Sequence, residues 1–185
     1  MSAARQGGPD PASNLPLRYA IDEARYANMP KDTIQRAIDK ATGAAGTDDF
    51  ENVVYEAYGP GGAAIIVLGL TDNRTRTASD LRLILGKNGG NLGNPGSVSY
   101  MFDPRGQIVA TGAGLAADQV IEKAIEAGAI DVEEPEDPSE ADAPWTILTE
   151  VAEFQQVKDA LEAAGLKIEA AELAHVPQNH VSLDA

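Results

Sequence analysis

Residue types that could do chemistry are sparse and unevenly placed. The sequence has no cysteine and two histidines, His175 and His180, both near the C-terminus. Disulfides and thiolate metal sites are excluded, and a zinc centre would need three or four convergent ligands that the surroundings of these histidines do not offer. A denser polar cluster is Thr71-Asp72-Asn73-Arg74-Thr75-Arg76-Thr77, which ends an apolar run. A carboxylate there acts as acid or base only beside a partner that displaces its pKa. Asp72 has no histidine, second carboxylate or nucleophilic serine near it in sequence. Two readings remain open. Either Asp72 and the arginines form a cap and ion-pair cluster, or Arg74 and Arg76 present guanidinium forks to phosphate.

Two glycine-dense stretches raise the question of a phosphate cradle. "YGPGGAA" (58–64) lacks G-x-x-x-x-G-K-[ST] and precedes a strand, whereas a cradle precedes a helix. "GKNGGNLGNPGS" (86–97) follows a helix and leads into a strand, the wrong order for a dinucleotide fingerprint. The simpler reading is that Gly89, Gly90, Gly93 and Gly96 supply positive φ angles in a long connection. In the sharper one, Lys87 and Asn91 offer donors to phosphate beside a close-approaching backbone.

A third set of cations lies near the N-terminus. Arg18 and Arg25 are seven apart and share one helix face, while Arg36 and Lys40 are four apart and share another, and Lys31 lies on the same segment. Asp22 and Asp32, each four residues from an arginine, allow ordinary pairing on solvated faces. The alternative is a helix pair that contacts phosphate. The candidate polyanion contacts are thus Arg18, Arg25, Lys31, Arg36, Lys40, Arg74, Arg76, Lys87 and Asn91. No catalytic set, metal site or cofactor site is expected. The acidic run "DVEEPEDPSEAD" lacks the calcium-loop pattern and reads as a solvated loop.

The elements that must position these side chains follow from periodicity. "NLPLRYAIDEARYANM" carries an apolar stripe at helical spacing, with Ser13 or Asn14 as cap and Pro16 in the first turn. "MPKDTIQRAIDKATG" is a second helix, opened by Pro30 and stopped at Gly43. Both stripes are alanine-rich, so the buried face of this hairpin is thin. "VVYEAYG", a Pro-Gly-Gly turn and "AAIIVLGL" predict a β-hairpin whose second strand, apolar on both faces, suits a central position. A helix follows with Thr77 as cap, then a loop, a strand over "SVSYMF" and a turn at Asp103-Pro104-Arg105-Gly106. The remainder reads strand, helix, strand, strand, helix, strand, a complete βαββαβ plan within 107–176, with Trp145 and Phe154 in its core. The fold class is α+β.

Charge divides the chain. Residues 1–106 hold eleven Lys/Arg against twelve Asp/Glu, whereas residues 107–185 hold three against seventeen. The second half repels nucleic acid and anionic lipid, so any polyanion belongs to the first. No signal-like apolar segment opens the chain and no stretch approaches the roughly 20 apolar residues that span a bilayer. A soluble, cytoplasmic protein without membrane partners is expected.

Four stretches, "ARYANMPKDTIQRAI", "YEAYGPGGAAIIVLGLTDNRTRT", "KNGGNLGNPGSVSYMF" and "VKDALEAAGLK", resemble the YebC/PmpR family, whose members include the mitochondrial translational activator of cytochrome c oxidase subunit one. The likeness covers essentially residues 3–185. It implies a helical N-terminal domain (1–46), a second α+β domain (47–105), an acidic third βαββαβ domain (106–176) inserted into the second, and a return segment (177–185). It departs at both ends: a basic leader and a closing helix and strand have no counterpart here, and Leu15-Pro16-Leu17-Arg18 replaces a more basic stretch. The chain is therefore expected to be truncated at both ends relative to the family. Family function implies a non-enzymatic, DNA-binding regulator of transcription. An alternative is a ribosome-associated translation factor that relieves proline-rich stalls, contacting ribosomal RNA, with the acidic domain against basic ribosomal proteins. A small-molecule-binding module is the alternative from another class.

Overall fold

The computed structural model describes residues 1–43, 50–112, 114–138, 140 and 142–180. In chain order its elements are α1 (Ser2–Gly7), α2 (Leu15–Tyr26), α3 (Lys31–Thr42), β1 (Glu51–Tyr58), β2 (Ala64–Thr71), α4 (Arg74–Lys87), β3 (Asn91–Leu92), β4 (Phe102–Thr111), α5 (Ala117–Ala127), β5 (Asp131–Glu133), β6 (Pro144–Thr149), α6 (Phe154–Ala163) and β7 (Lys167–Pro177). They form two compact units. Of the described residues, one gathers those in 3–42 and 104–174 and the other those in 43–103 and 175–180.

In the first unit, a four-stranded sheet has the order β5-β6-β4-β7, with β4–β6 and β5–β6 antiparallel. Ile108 and Ala110 of β4 and Trp145 and Ile147 of β6 alternate inward at period two. They pack with Val120 and Ala124 of α5 and with Phe154, Val157 and Leu161 of α6 in one apolar cluster. This is the expected βαββαβ plan, including Trp145 and Phe154. Gly106 is glycine because a Cβ there would collide with Thr149 and the Phe154 ring.

The N-terminal helices complete that unit. Buried Asn14 caps α2: its Oδ1 accepts from the Leu17 N–H at 3.2 Å, while its Nδ2 donates to the carbonyls of Ala3 (2.7 Å) and Gly8 (2.8 Å). One side chain thus ties α1, its exit and α2 together. Leu17, Ile21, Ile38 and Ala41 close with Ala4 into a small second cluster. Tyr19 and Tyr26, on another side of α2, pack against the sheet domain's core, Tyr19 edge-on to Phe154 at 5.2 Å and 78°.

The second unit is built around β1, flanked by β2 and β3 in a three-stranded antiparallel sheet. The expected β1–β2 hairpin forms. Its turn is a short 3-10 segment at Pro60–Gly62 with Gly61 at φ 70° and Gly62 at φ 80°. β2, expected to be central, is instead an edge strand. Leu68 and its cross-strand partner Val54 are each 56% exposed. Its apolar composition reported hydrophobicity, which does not distinguish an edge from an interior place.

Three further expectations fail for identifiable reasons. The cap of α4 is Asn73, not Thr77; the Asn73 Oδ1 accepts from the Arg76 N–H at 2.9 Å, which places Thr77 inside the helix, where its hydroxyl meets that of Thr71 at 2.8 Å. Residues Ser99–Met101 are a 3-10 turn rather than a strand, and the short ladder beside β1 comes from Asn91–Leu92. The amides of Gly96, Val98 and Ser99 are held by a side chain and cannot enter a ladder. Asp103–Gly106 is extended within β4, and Pro104 lies outside the ladder with β6, which begins at Gly106. The returning chain is tied to this unit by the Gln178 N–H donating to the Met101 carbonyl at 2.9 Å.

Candidate nucleic-acid interface

Helical geometry sets the first group of cations. Seven residues nearly complete two turns, so Arg18 and Arg25 project from one face of α2. They border a groove with Lys158, Gln155 and Asp159 of α6, about 400 Å³ in volume. The Arg18 Nε donates to the Pro11 carbonyl at 3.4 Å, and Arg25 pairs with Asp22 at 3.2 Å while its own side chain stays 65% exposed. On α3, Arg36 donates through Nε to the Asp32 backbone carbonyl at 3.1 Å. The expected pairing with Asp22 is therefore made by Arg25 rather than Arg18, and Arg36 uses the Asp32 carbonyl rather than its carboxylate. Lys31 and Lys40 are exposed at opposite ends of α3, with no ion pair among the described residues.

Asp22 holds a second partner that sequence reasoning missed. The Lys158 Nζ meets its Oδ2 at 2.7 Å, with the two side chains 8% and 17% exposed. Burial alone would push the Lys158 ammonium down. The hydrogen bond to Asp22, with Tyr26, Asp22 and Glu162 nearby, outweighs burial and leaves its pKa above the usual lysine value. Burial raises the phenols of Tyr19 and Tyr26 as well. The sequence offered no signal for this pair, since its members are 136 residues apart.

The second group surrounds the start of α4. Arg74 pairs with Glu51 at 3.6 Å and Arg76 with Asp72, yet their side chains remain 61% and 58% exposed. The ion pairs form with Asp72 on Arg76 rather than Arg74 and with Asn73 as the cap, and both arginine side chains stay more than half exposed. Arg82, not singled out from the sequence, lines a shallow hollow of about 310 Å³ with Arg74, Thr75, Ala78 and Tyr55. Its seven-residue spacing from Thr75 was the available signal. Lys87 closes α4, where a cation suits the helix dipole, and Asn91 pairs with Tyr58 in β3.

The glycine loop between α4 and β4 does cradle an anion, one supplied by the protein itself. The Glu56 carboxylate, 9% exposed, accepts from the N–H groups of Gly96 (2.6 Å), Val98 (2.6 Å) and Ser99 (2.8 Å). Hydrogen bonds from Val98 and Gly96 hold its pKa below the usual carboxylate value against the opposing effect of burial. Those amides are taken up by Glu56 and are not free to hold a phosphate. Gly89 and Gly96 take positive φ as expected. Gly90 and Gly93 do not; they are glycine because a Cβ would strike the Tyr58 carbonyl at one and Ser97 at the other.

No group of acidic or histidine side chains able to hold a metal occurs among the described residues. His175 lies exposed on β7. His180 borders a hollow of about 520 Å³ with Tyr100, Phe102 and Pro177 at the β1–β2 turn. That is not the space between sheet and helices that the small-molecule alternative requires. No described helix is long and apolar enough to cross a membrane.

Comparison with known proteins adds the context. Residues 1–44 match the family model described as the TACO1/YebC protein N-terminal domain, and residues 50–185 match the TACO1/YebC second and third domain. A "probable transcriptional regulatory protein" of Rubrobacter xylanophilus is 47% identical over 184 residues, 99% of this chain and 71% of the relative. One of the same description from Methylococcus capsulatus is 51% identical over 182 residues, 98% of this chain and 71% of its own length. The crystal structure of a conserved hypothetical protein from Aquifex aeolicus superposes with a TM-score of 0.82 at 44% identity, covering 95% of this chain and 70% of that one.

Proposed function

The chain belongs to the TACO1/YebC family, and from that premise we propose that it is a non-enzymatic regulator of gene expression that grips the phosphate backbone of a nucleic acid. The observation that carries this reading is the placement of exposed cations. Arg25, Lys31, Arg36 and Lys40 stand on α2 and α3, and Arg74, Arg76, Arg82 and Lys87 on α4, all in the half of the sequence that is close to neutral. Guanidinium and ammonium groups in solvent bind phosphate by displacing condensed counterions, which gives affinity and salt dependence without base readout. Arg18, half-buried, orients within the α2–α6 groove, and Asn91 sits beside Lys87 as a neutral donor. The names of the relatives favour DNA and transcription.

A ribosomal target is the second reading, favoured by one feature. The βαββαβ domain belongs to the half with seventeen acidic and three basic residues. Duplex DNA offers such a surface nothing but repulsion, whereas a ribosome offers both RNA and basic protein.

Sedimentation with purified ribosomes and excess random duplex DNA at near-physiological salt separates the two. Cosedimentation with ribosomes despite the DNA favours translation, retention on DNA favours transcription, and binding to neither overturns the phosphate-contact reading. Replacing Arg74 and Arg76 together by Ala is expected to lower affinity and to reduce the magnitude of the slope of log K against log salt by about 1 for each phosphate left unneutralised. An unchanged slope would show that these arginines serve only their ion pairs.

A further inference from the structure

We propose that the outward face of α5 is a docking surface for a cationic amphipathic helix of a protein partner. Two parallel rows run along this face. Ile121 and Ile125 stand four residues apart, and Asp118, Glu122 and Glu126 repeat at the same spacing beside them. The five side chains together border one open hollow of about 350 Å³. Ile121 is half-buried against the core, and on the opposite side of the helix Val120 and Ala124 are fully buried, so α5 cannot rotate to hide Ile125. Ile125 is left 62% exposed, and Ile130, two residues past the Gly128 cap, is 47% exposed.

The charges on this face are as uncompensated as the apolar surface. No described lysine or arginine forms an ion pair with Asp118, Glu122 or Glu126. Carboxylates at i, i+4 spacing repel one another. Asp118 suits the first turn, but Glu126 stands in the last turn, where the helix dipole is negative and no basic residue answers it. An isolated helix gains nothing from this pattern. A partner that brings cations beside an apolar row relieves both defects at once.

Sign and shape select the occupant. Nucleic acid and anionic lipid are repelled, and a second copy would set carboxylate row against carboxylate row. A neutral apolar segment would cover the isoleucines while stripping water from three unpaired carboxylates. A helix with Leu or Ile at i, i+4 beside Lys or Arg at i, i+4 sets ridge into groove and charge against charge. This inference rests on α5 alone and stands apart from the phosphate contacts of the first half.

The probe is a synthetic Leu/Lys heptad peptide of about 18 residues, long enough to fold on binding, against a scrambled peptide of identical composition. Binding to the full chain is followed by fluorescence anisotropy and amide chemical shifts at about 0.15 M salt, where diffuse attraction is screened beyond roughly 8 Å. The amphipathic peptide is expected to bind at least about tenfold tighter than the scramble, with shifts centred on Asp118, Glu122 and Ile125. Ile125→Gln, at an exposed site that leaves the melting temperature unchanged, should weaken it about tenfold. Glu122→Gln with Glu126→Gln should flatten its salt dependence. Equal binding of the two peptides, or an unchanged Kd for Ile125→Gln, overturns the proposal and leaves only a diffuse acidic field. Shifts on α5 that depend on protein concentration without peptide would make the occupant a second copy, and the proposal would fail.

Discussion

The two units use strands and helices of similar length but organise their interiors by different chemistry. In the βαββαβ unit, Ile108, Val120, Ile147, Phe154 and Leu161 are all at or near zero exposure, and the helices close over them. In the β1–β2–β3 unit, the buried apolar residues among those described are Val53, Ala57 and Val98, while Leu68, Leu70, Leu83 and Ile84 face solvent. Its centre is a carboxylate that gathers three amides. An apolar core is non-directional and shares its cost of disruption among many neighbours. A polar hub is directional, so one side chain fixes the path of a whole loop, and removing it leaves orphaned amides.

The sharpest test of that contrast is Phe154→Ala. It empties the centre of the apolar cluster and removes the edge-on packing with Tyr19, so a loss of about 3–5 kcal/mol is expected, with α2 and the sheet melting together. Calorimetry or denaturant titration reads it. If α2 melted separately from the sheet, the Tyr19–Phe154 seam would not be a shared core.

The matching experiment in the other unit is Glu56→Gln, which keeps shape and one acceptor but removes the charge and turns a donor toward amides that need an acceptor. Faster hydrogen exchange at Val98 and Ser99 is expected, with the βαββαβ unit unaffected. The carboxylate's folded pKa lies below its unfolded value of about 4.3, so its contribution is full above that value and is lost as pH falls through the folded pKa. Wild-type protection at these amides should decline in that acid window, and Glu56→Gln should show no such decline. A variant with wild-type exchange at both amides would mean that Glu56 does not organise the loop.

The same contrast explains what could be read from the sequence. The βαββαβ unit was legible almost residue by residue because apolar periodicity is a local signal that states which face is buried. The hairpin helices were legible for the same reason, while their first cap was narrowed only to Ser13 or Asn14 until the Leu17 amide settled it on Asn14. Glu56 was not, because a glutamate within an apolar strand gives no hint that its partners lie 40 to 43 residues away. Without that hub, 97–102 reads as a strand and the glycine loop as a long connection whose glycines supply positive φ, with an external phosphate cradle as the alternative. β2 was misplaced because composition records burial tendency and not the number of neighbours. Of the candidate contacts, the residue types, the helix faces and the local pairs of Arg25 with Asp22 and Arg76 with Asp72 follow from spacing, whereas the Arg74–Glu51 pair depends on three-dimensional proximity.

The smallest of the three effects asks whether the apolar unit also leans on a polar tie. Lys158→Met keeps an apolar stem of similar length and removes the ammonium that meets Asp22 and lies 5.9 Å from the centre of the Tyr26 ring. Removing one member of a buried pair is usually severe. Here Arg25 already meets the other carboxylate oxygen of Asp22, so the remaining charge keeps a partner. A loss of about 1–2 kcal/mol is expected, well below that of Phe154→Ala. The folded pKa of Lys158 lies above its unfolded value of about 10.4; the pair is therefore fully stabilising below that value and lost as pH rises through the folded pKa. The difference in melting temperature between wild type and Lys158→Met should accordingly persist from neutral pH to about 10 and shrink above it. A loss equal to that of Phe154→Ala would mean that an ion pair, and not packing, holds α2 to α6, and the distinction between the two units would collapse.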